Sequence, residues 1–185
     1  RNVSVTDENG FYQLEGWERE AMIFCNVLTN RHSDWFSPIL KEKTVYDFYI
    51  DPVKDQKTYT FLHLADTEIE NKGCDSFIPW LKDTVSENNA AFLFHGGDLC
   101  NEDGVNRHYR EMNQDTVGCP VRYCIGNHDF LTGDYAEQRY EELYGPIWYS
   151  FDLGNIHYIS LPYPESAWGF YTRYDLFDQY KWLKN

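Results

Sequence analysis

The sequence predicts a layered α/β fold preceded by a small all-β piece, and three observations lead there. From residue 58 onward, short apolar runs of β type alternate with stretches of helical periodicity, as in a sheet joined by crossover helices. Three of those runs end in turns rich in carboxylates and amides. Residues 1–57, by contrast, show β-type alternation and turn signals.

The first piece opens with Asn2–Thr6 and Phe11–Leu14 around Asp7-Glu8-Asn9-Gly10, which predicts a hairpin because Asn-Gly adopts positive φ readily. Residues 44–50 alternate again, and Asp51-Pro52 ends them. These elements predict part of a β-sandwich over 1–57, with the linker at 51–57, where Pro, Lys, Asp and Gln accumulate. The second region, 58–185, begins with the run 58–65. A helix is predicted over 74–88, starting near Asp75, with Phe77, Leu81 and Val85 at four-residue spacing and Ile78 beside them. The second β-type run is 91–95, and a more polar helix is predicted over 102–114. The third run, 121–125, precedes a helix over 135–144 with Tyr140 and Leu143 inward and Glu137, Glu141 and Glu142 outward, stopped by Gly145-Pro146. A last helix over 174–185 carries Leu176, Phe177, Tyr180 and Leu183 as its apolar stripe.

The chain of 185 residues allows one ordinary domain, or one and a small second piece. Its 42% hydrophobic and 18% aromatic content supplies a core and argues against disorder. No run is long enough for a transmembrane helix, and no apolar signal segment opens the chain. A first residue Arg1 rather than Met implies a processed or excised chain. The net charge of −14 argues against a nucleic-acid groove, which needs clustered Lys and Arg. The five cysteines form no C-x-x-C pair, so zinc-finger and redox-motif readings fail on spacing, and structural roles are expected.

The chemistry concentrates at the three run ends: Asp66-Thr67-Glu68, Gly97-Asp98-Leu99-Cys100-Asn101 and Gly126-Asn127-His128-Asp129. Ligands of open α/β sheets bind at the C-terminal ends of strands. Oxygen donors of Asp, Glu and Asn suit divalent Mg, Mn, Zn or Fe, and a carboxylate can bridge two ions. Two ions about 3.5–4 Å apart would clamp a phosphoryl group and activate a shared water. Gly97 and Gly126 let the backbone turn sharply off each strand.

This series resembles the calcineurin-like metallophosphoesterases, whose pattern is D-x-H, then G-D-x-x-D/N, then G-N-H-D/E, then a lone His and G-H-x-H. Residues 148–161 look like the family's next β-hairpin. The resemblance implies an αββα fold, a β-sandwich flanked by helices, of which 58–185 would be the N-terminal part. It implies Asp66 as ligand of a first metal, Asp98 as the bridging carboxylate and Asn127 as ligand of a second. His128 would be the acid at the leaving oxygen, with Asp129 holding its ring. Glu68 stands where most members have His; as a metal ligand it adds negative charge and favours harder ions. The sequence after Asp129 contains neither the lone His nor G-H-x-H.

The expected activity is hydrolysis of phosphate mono- or diesters by metal-bound hydroxide at a binuclear site, on a small-molecule or a lipid or polymer ester. The four donors in hand imply weak metal binding and doubtful turnover for this chain alone. The competing expectation is a non-catalytic fragment or relic acting as a binding or scaffold module. A further alternative gives the N-terminal piece a glycan-binding role through Tyr12, Trp17 and Trp35. That piece is also similar to transthyretin-like modules ahead of phosphoesterase domains in some exported bacterial proteins, implying a periplasmic or extracellular setting. His63 and His157 are expected to pack within strands; His95 precedes the Gly-Gly-Asp turn and is expected to be structural sooner than to line the cleft, while His32 and His108 carry no signal. Asn101 is either a turn residue or a partner that orients a ligand.

Overall fold

The structure is a computed structural model that describes residues 3–15, 22–30, 35–54, 56–69, 75–131, 133–162 and 176–184. Expectations for Trp17, His32 and Cys74 lie outside these residues. The first turn forms as the sequence suggests, with Gly10 N–H donating to the Asp7 carbonyl at 3.0 Å and Asp7 N–H to the Phe11 carbonyl at 2.8 Å. Gly10 alone takes positive φ, at 84°; the Asp7 carboxylate holds the turn by accepting from Asn9 and Phe11 N–H. No regular ladder flanks it among the described residues. The first strands are instead β1 (Met22–Phe24) and β2 (Phe36–Pro38), an antiparallel pair. Residues 44–50 keep the expected alternation, with Tyr46, Phe48 and Ile50 half-buried, but join no sheet among the described residues. Residues 51–53 run beside 28–30: Asn30 N–H donates to Asp51 and Val53 N–H to Leu28.

Strands β3 (Thr60–Leu64), β4 (Ala90–His95) and β5 (Val121–Tyr123) form a parallel sheet in that order. Alternation along β4 separates the two cores. Leu93 enters a cluster with Leu81, Val85, Val105 and Met112 from the helices, whereas Phe92 enters one with Leu28, Trp35, Tyr149 and Phe151. The second face is covered by the hairpin of β6 (Tyr149–Leu153) and β7 (Ile156–Ser160), in the expected place, with Gly154 at φ 58° in its two-residue loop. The layers are therefore helices, parallel sheet, and hairpin with N-terminal strands. Trp35 packs edge-on to Phe24 and Phe36 and lies 4.8 Å from Tyr149, so it is a core residue and unavailable to stack on a glycan.

Helix α1 (Phe77–Glu87) buries Leu81 and Val85 as its periodicity requires. Pro79 costs it nothing, since N–H groups of the first turn have no intrahelical acceptor. The predicted helix 102–114 divides into α2 (Asn101–Glu111) and α3 (Gln114–Val117). The break is explained by Asn113, whose side chain accepts from Asp115 and Thr116 N–H and starts a new helix. Helix α4 (Gln138–Tyr144) corrects the expected polarity: Glu137 and Glu141 are buried with Tyr140, and Glu142 alone of the three faces outward. In α5 (Leu176–Lys184), Trp182 is the buried residue, while Tyr180 and Leu183 are exposed. The side chains of Leu176 and Phe177 lie outside the described residues.

Candidate metal centre

The three strand ends meet at one edge of the parallel sheet. Gly96 N–H donates to the Leu64 carbonyl at 2.7 Å and Asp66 N–H to the Gly97 carbonyl at 3.0 Å, so the loop after β3 is laced to the loop after β4. The loop after β5 is pressed against the same place. A Cβ on Gly126 would lie 2.2 Å from both N and Oδ1 of Asp98, and one on Gly97 would lie 2.5 Å from Gly126 N. Both glycines are required by close backbone approach, and Gly97, at φ 104°, also by the sharp turn the sequence suggested, whereas Gly126 is extended. His128 N–H then donates to Asp98 Oδ1 at 3.1 Å.

Backbone strain gathers at this edge. Six non-glycine residues among those described have positive φ, and five are Asp66, Glu68, Asp98, Cys100 and Asn101. Such conformations cost energy and persist where surroundings impose them, often at functional sites. Three of the five are the predicted carboxylate ligands. Asp66 and Glu68 are exposed, Asp98 and Asn127 half-buried, and His128 exposed. Asp98 and the Asn127 turn thus come together directly, while Asp66 joins them through its backbone. Among the described residues, no group of three or more His, Cys, Asp or Glu side chains is assembled to hold a metal. The donor set itself fits a hard or borderline divalent ion: three carboxylates and one amide oxygen on adjoining loops.

Asp129 does not take the expected part behind the imidazole of His128. It is fully buried, and its oxygens accept backbone N–H from Leu99 (2.6 Å) and Cys100 (3.1 Å) on Oδ1, and from Asp98 (3.0 Å) and Gly126 (2.8 Å) on Oδ2. These bonds occupy the carboxylate. Asp129 therefore clamps the loops after β4 and β5 together. Burial pushes its pKa up to about 6, against the opposing pull of the Gly126, Leu99 and Cys100 N–H groups. Asn101 resolves as a turn residue, its Oδ1 accepting from Asp103 and Gly104 N–H at the start of α2. Cys124 is half-buried, with Sγ 3.4 Å from the Leu161 carbonyl, and burial raises its pKa; Cys119 is buried and pushed up to about 12.

A model of the calcineurin-like phosphoesterase family matches residues 59–185. The chain belongs to that family. The match spans every strand end of this candidate site and all six residues expected to act there. The chain is also 27% identical over 105 residues, 52% of its length, to the uncharacterized protein YvnB of Bacillus subtilis (strain 168). It spans 8% of that relative's length. No solved structure matches it.

Sequence reasoning missed the part played by Thr67 and His108 beside this candidate site. His108 is buried on α2 with Val105 and Met112, at helical spacing that already placed it on the apolar face. His95 is buried, with Nε2 2.8 Å from Thr67 Oγ1. His63 and His157 are exposed rather than packed; His157 Nδ1 pairs with Asp152 Oδ1 at 2.6 Å.

Proposed function

We propose that the site of this chain belongs to a hydrolase of phosphate mono- or diesters, with divalent metal held by Asp66, Glu68, Asp98 and Asn127, and that these four donors alone bind the ion weakly, so that any turnover by this chain needs added metal. The observation that carries the reading is the contact of the Asp98 carboxylate with the Gly126-Asn127-His128 turn at the C-terminal edge of a parallel sheet. A bound divalent ion would supply Lewis acidity toward the phosphoryl oxygens and lower the pKa of its water. The chain's own groups do the positioning. Asp98 Oδ1 is oriented by the His128 N–H, and Oδ2 has no hydrogen bond among the described residues, which leaves it open to an ion. Asp66, Glu68 and Asn127 add oxygens on the flanking loops, and the exposed His128 ring is the acid for the leaving oxygen. Mn or Mg suits this set best, since both tolerate several water ligands. The substrate is a small-molecule or a lipid or polymer phosphate ester, which metal would attract despite the chain's charge of −14.

The test is Mn-dependent hydrolysis of mono- and bis-p-nitrophenyl phosphate by the dialysed chain. Turnover should disappear in Asp98→Asn. His128→Ala should lower kcat more for an alkyl phosphate than for a p-nitrophenyl ester, because a basic leaving oxygen needs the proton more. Phosphate binding with no turnover in any divalent metal would favour the binding-module reading.

A further inference from the structure

Thr67 lies between two strained residues, Asp66 at φ 55° and Glu68 at φ 43°. Its hydroxyl touches two buried imidazoles: Oγ1 is 2.8 Å from His95 Nε2 on β4 and 2.5 Å from His108 Nε2 on α2. The other ring nitrogens fix where the protons are. Gly97 N–H donates to His95 Nδ1 at 3.2 Å, so that nitrogen is bare and the neutral ring carries its proton on Nε2. His108 Nδ1 is 2.7 Å from the Gly104 carbonyl, which can only accept, so His108 carries a proton on Nδ1, and in the neutral ring Nε2 is bare. Thr67 must then accept from His95 and donate to His108. The chain of bonds has one direction: Gly97 N–H to His95, His95 to Thr67, Thr67 to His108, His108 to Gly104.

Every polar atom of the two rings is satisfied by this arrangement, and it requires both rings neutral. Burial acts in the same sense, holding His95 down to about 3 and His108 down to about 4. The ring nitrogens of both residues are taken up by these bonds. The network instead links the turn after β3 to β4 and to α2 through one hydroxyl.

We propose that Thr67 is a positioning residue, whose hydroxyl, oriented by His95 and His108, holds the Asp66–Glu68 turn so that both carboxylates face a divalent ion. This rests on the metal reading of the site. Partners that orient metal ligands typically change affinity 10–100-fold when removed. Valine has threonine's shape without the hydroxyl, and serine keeps the hydroxyl, so the two substitutions separate bonding from packing.

The experiment uses the full chain and three readouts. Mn titration followed by electron paramagnetic resonance should give a Kd raised about 10–100-fold in Thr67→Val and near wild type in Thr67→Ser. Long-range proton–nitrogen correlation spectra of wild type should show His95 protonated on Nε2 and His108 on Nδ1. Hydrogen exchange at the Asp66 amide, which bonds the Gly97 carbonyl, should quicken in Thr67→Val and not in Thr67→Ser. Reversed tautomers in wild type overturn the proposal whether or not Thr67→Val folds. Wild-type Mn affinity in a folded Thr67→Val also overturns it. If wild type binds no Mn, the metal reading fails by itself, and equal Asp66 exchange in the two variants is then the result that overturns the brace.

Discussion

Acid should destabilise this protein through two buried imidazoles well before most carboxylates titrate. Burial is the main cause of the depressed values of His95, about 3, and His108, about 4; the facing His108 lowers His95 further. An unfolded histidine titrates near 6.5, so below that pH the unfolded chain binds more protons than the folded one. The stabilisation is therefore complete above about 6.5 and is lost as pH falls toward the folded values. At pH 5 each ring lies about 1.5 below the unfolded value, which at about 1.36 kcal/mol per pH unit costs about 2 kcal/mol per ring and about 4 for both. That is a large share of the roughly 5–15 kcal/mol that holds a domain folded. Urea unfolding followed by circular dichroism at pH 7, 6 and 5 would measure it. Comparison with His108→Gln cancels the background from carboxylates and exposed histidines, and the variant should lose about 2 kcal/mol less than wild type between pH 7 and 5. Identical losses in the two proteins, or an imidazolium signal from either ring at pH 5 in the folded state, would refute the reasoning.

The neighbouring elements give separate tests. Gly126→Ala forces a Cβ to within 2.2 Å of Asp98 N and Oδ1; we expect destabilisation of about 1–3 kcal/mol by overpacking, together with loss of Mn binding, read by thermal unfolding and metal titration. Asp129→Ala strands four backbone donors, and even at the low end of about 1 kcal/mol each the loss should reach about 4 kcal/mol in urea unfolding. Arg122 is buried against Trp35, 4.7 Å from its ring, with Nε and Nη2 unpartnered among the described residues. Arg122→Met should therefore leave stability unchanged or raise it, as removal of buried charge often does, and a loss above about 2 kcal/mol in the same assay would refute this.

How far the sequence could be read depended on whether a residue's role was local. The ends of β3, β4 and β5 were legible because an apolar run followed by Gly and a carboxylate fixes both the strand and its exit. Helix α1 was legible because Phe77, Leu81 and Val85 share one face whatever they pack on. The roles of Asp129 and Thr67 depend mainly on partners 28 to 41 residues away, such as His95, Cys100 and His108. Adjacency misled for Asp129: in the short turn Asn127–Asp129 its side chain goes inward to backbone N–H groups, away from the exposed His128. The N-terminal strands were misread for a related reason, since residues 44–50 have the right alternation but a ladder needs a partner strand, which propensity cannot supply. In α4, Glu137 and Glu141 flank Tyr140 and go inward with it, contrary to their charge.

The residues proposed to act on metal and those that hold them differ in burial, and that difference leads to a last prediction. Asp66 is exposed, at φ 55°, and its carboxylate has no hydrogen bond among the described residues. The strain of that conformation, about 1–2 kcal/mol for most side chains and less for Asp, is imposed by the Asp66 N–H bond to Gly97 and by the Thr67 network. Glycine would relieve it, while adding about 0.5–1 kcal/mol of chain entropy to be lost on folding. The two effects nearly cancel. Asp66→Gly should therefore keep its unfolding free energy within about 1 kcal/mol of wild type while Mn binding falls. Asp129→Ala should lose both together. A loss of stability above about 2 kcal/mol in Asp66→Gly would mean that the carboxylate supports the loop, and the division between exposed ligands and buried clamps would fail. Unchanged Mn binding in that variant would instead remove Asp66 from the ligand set and leave Asp98, Asn127 and Glu68 to hold the ion.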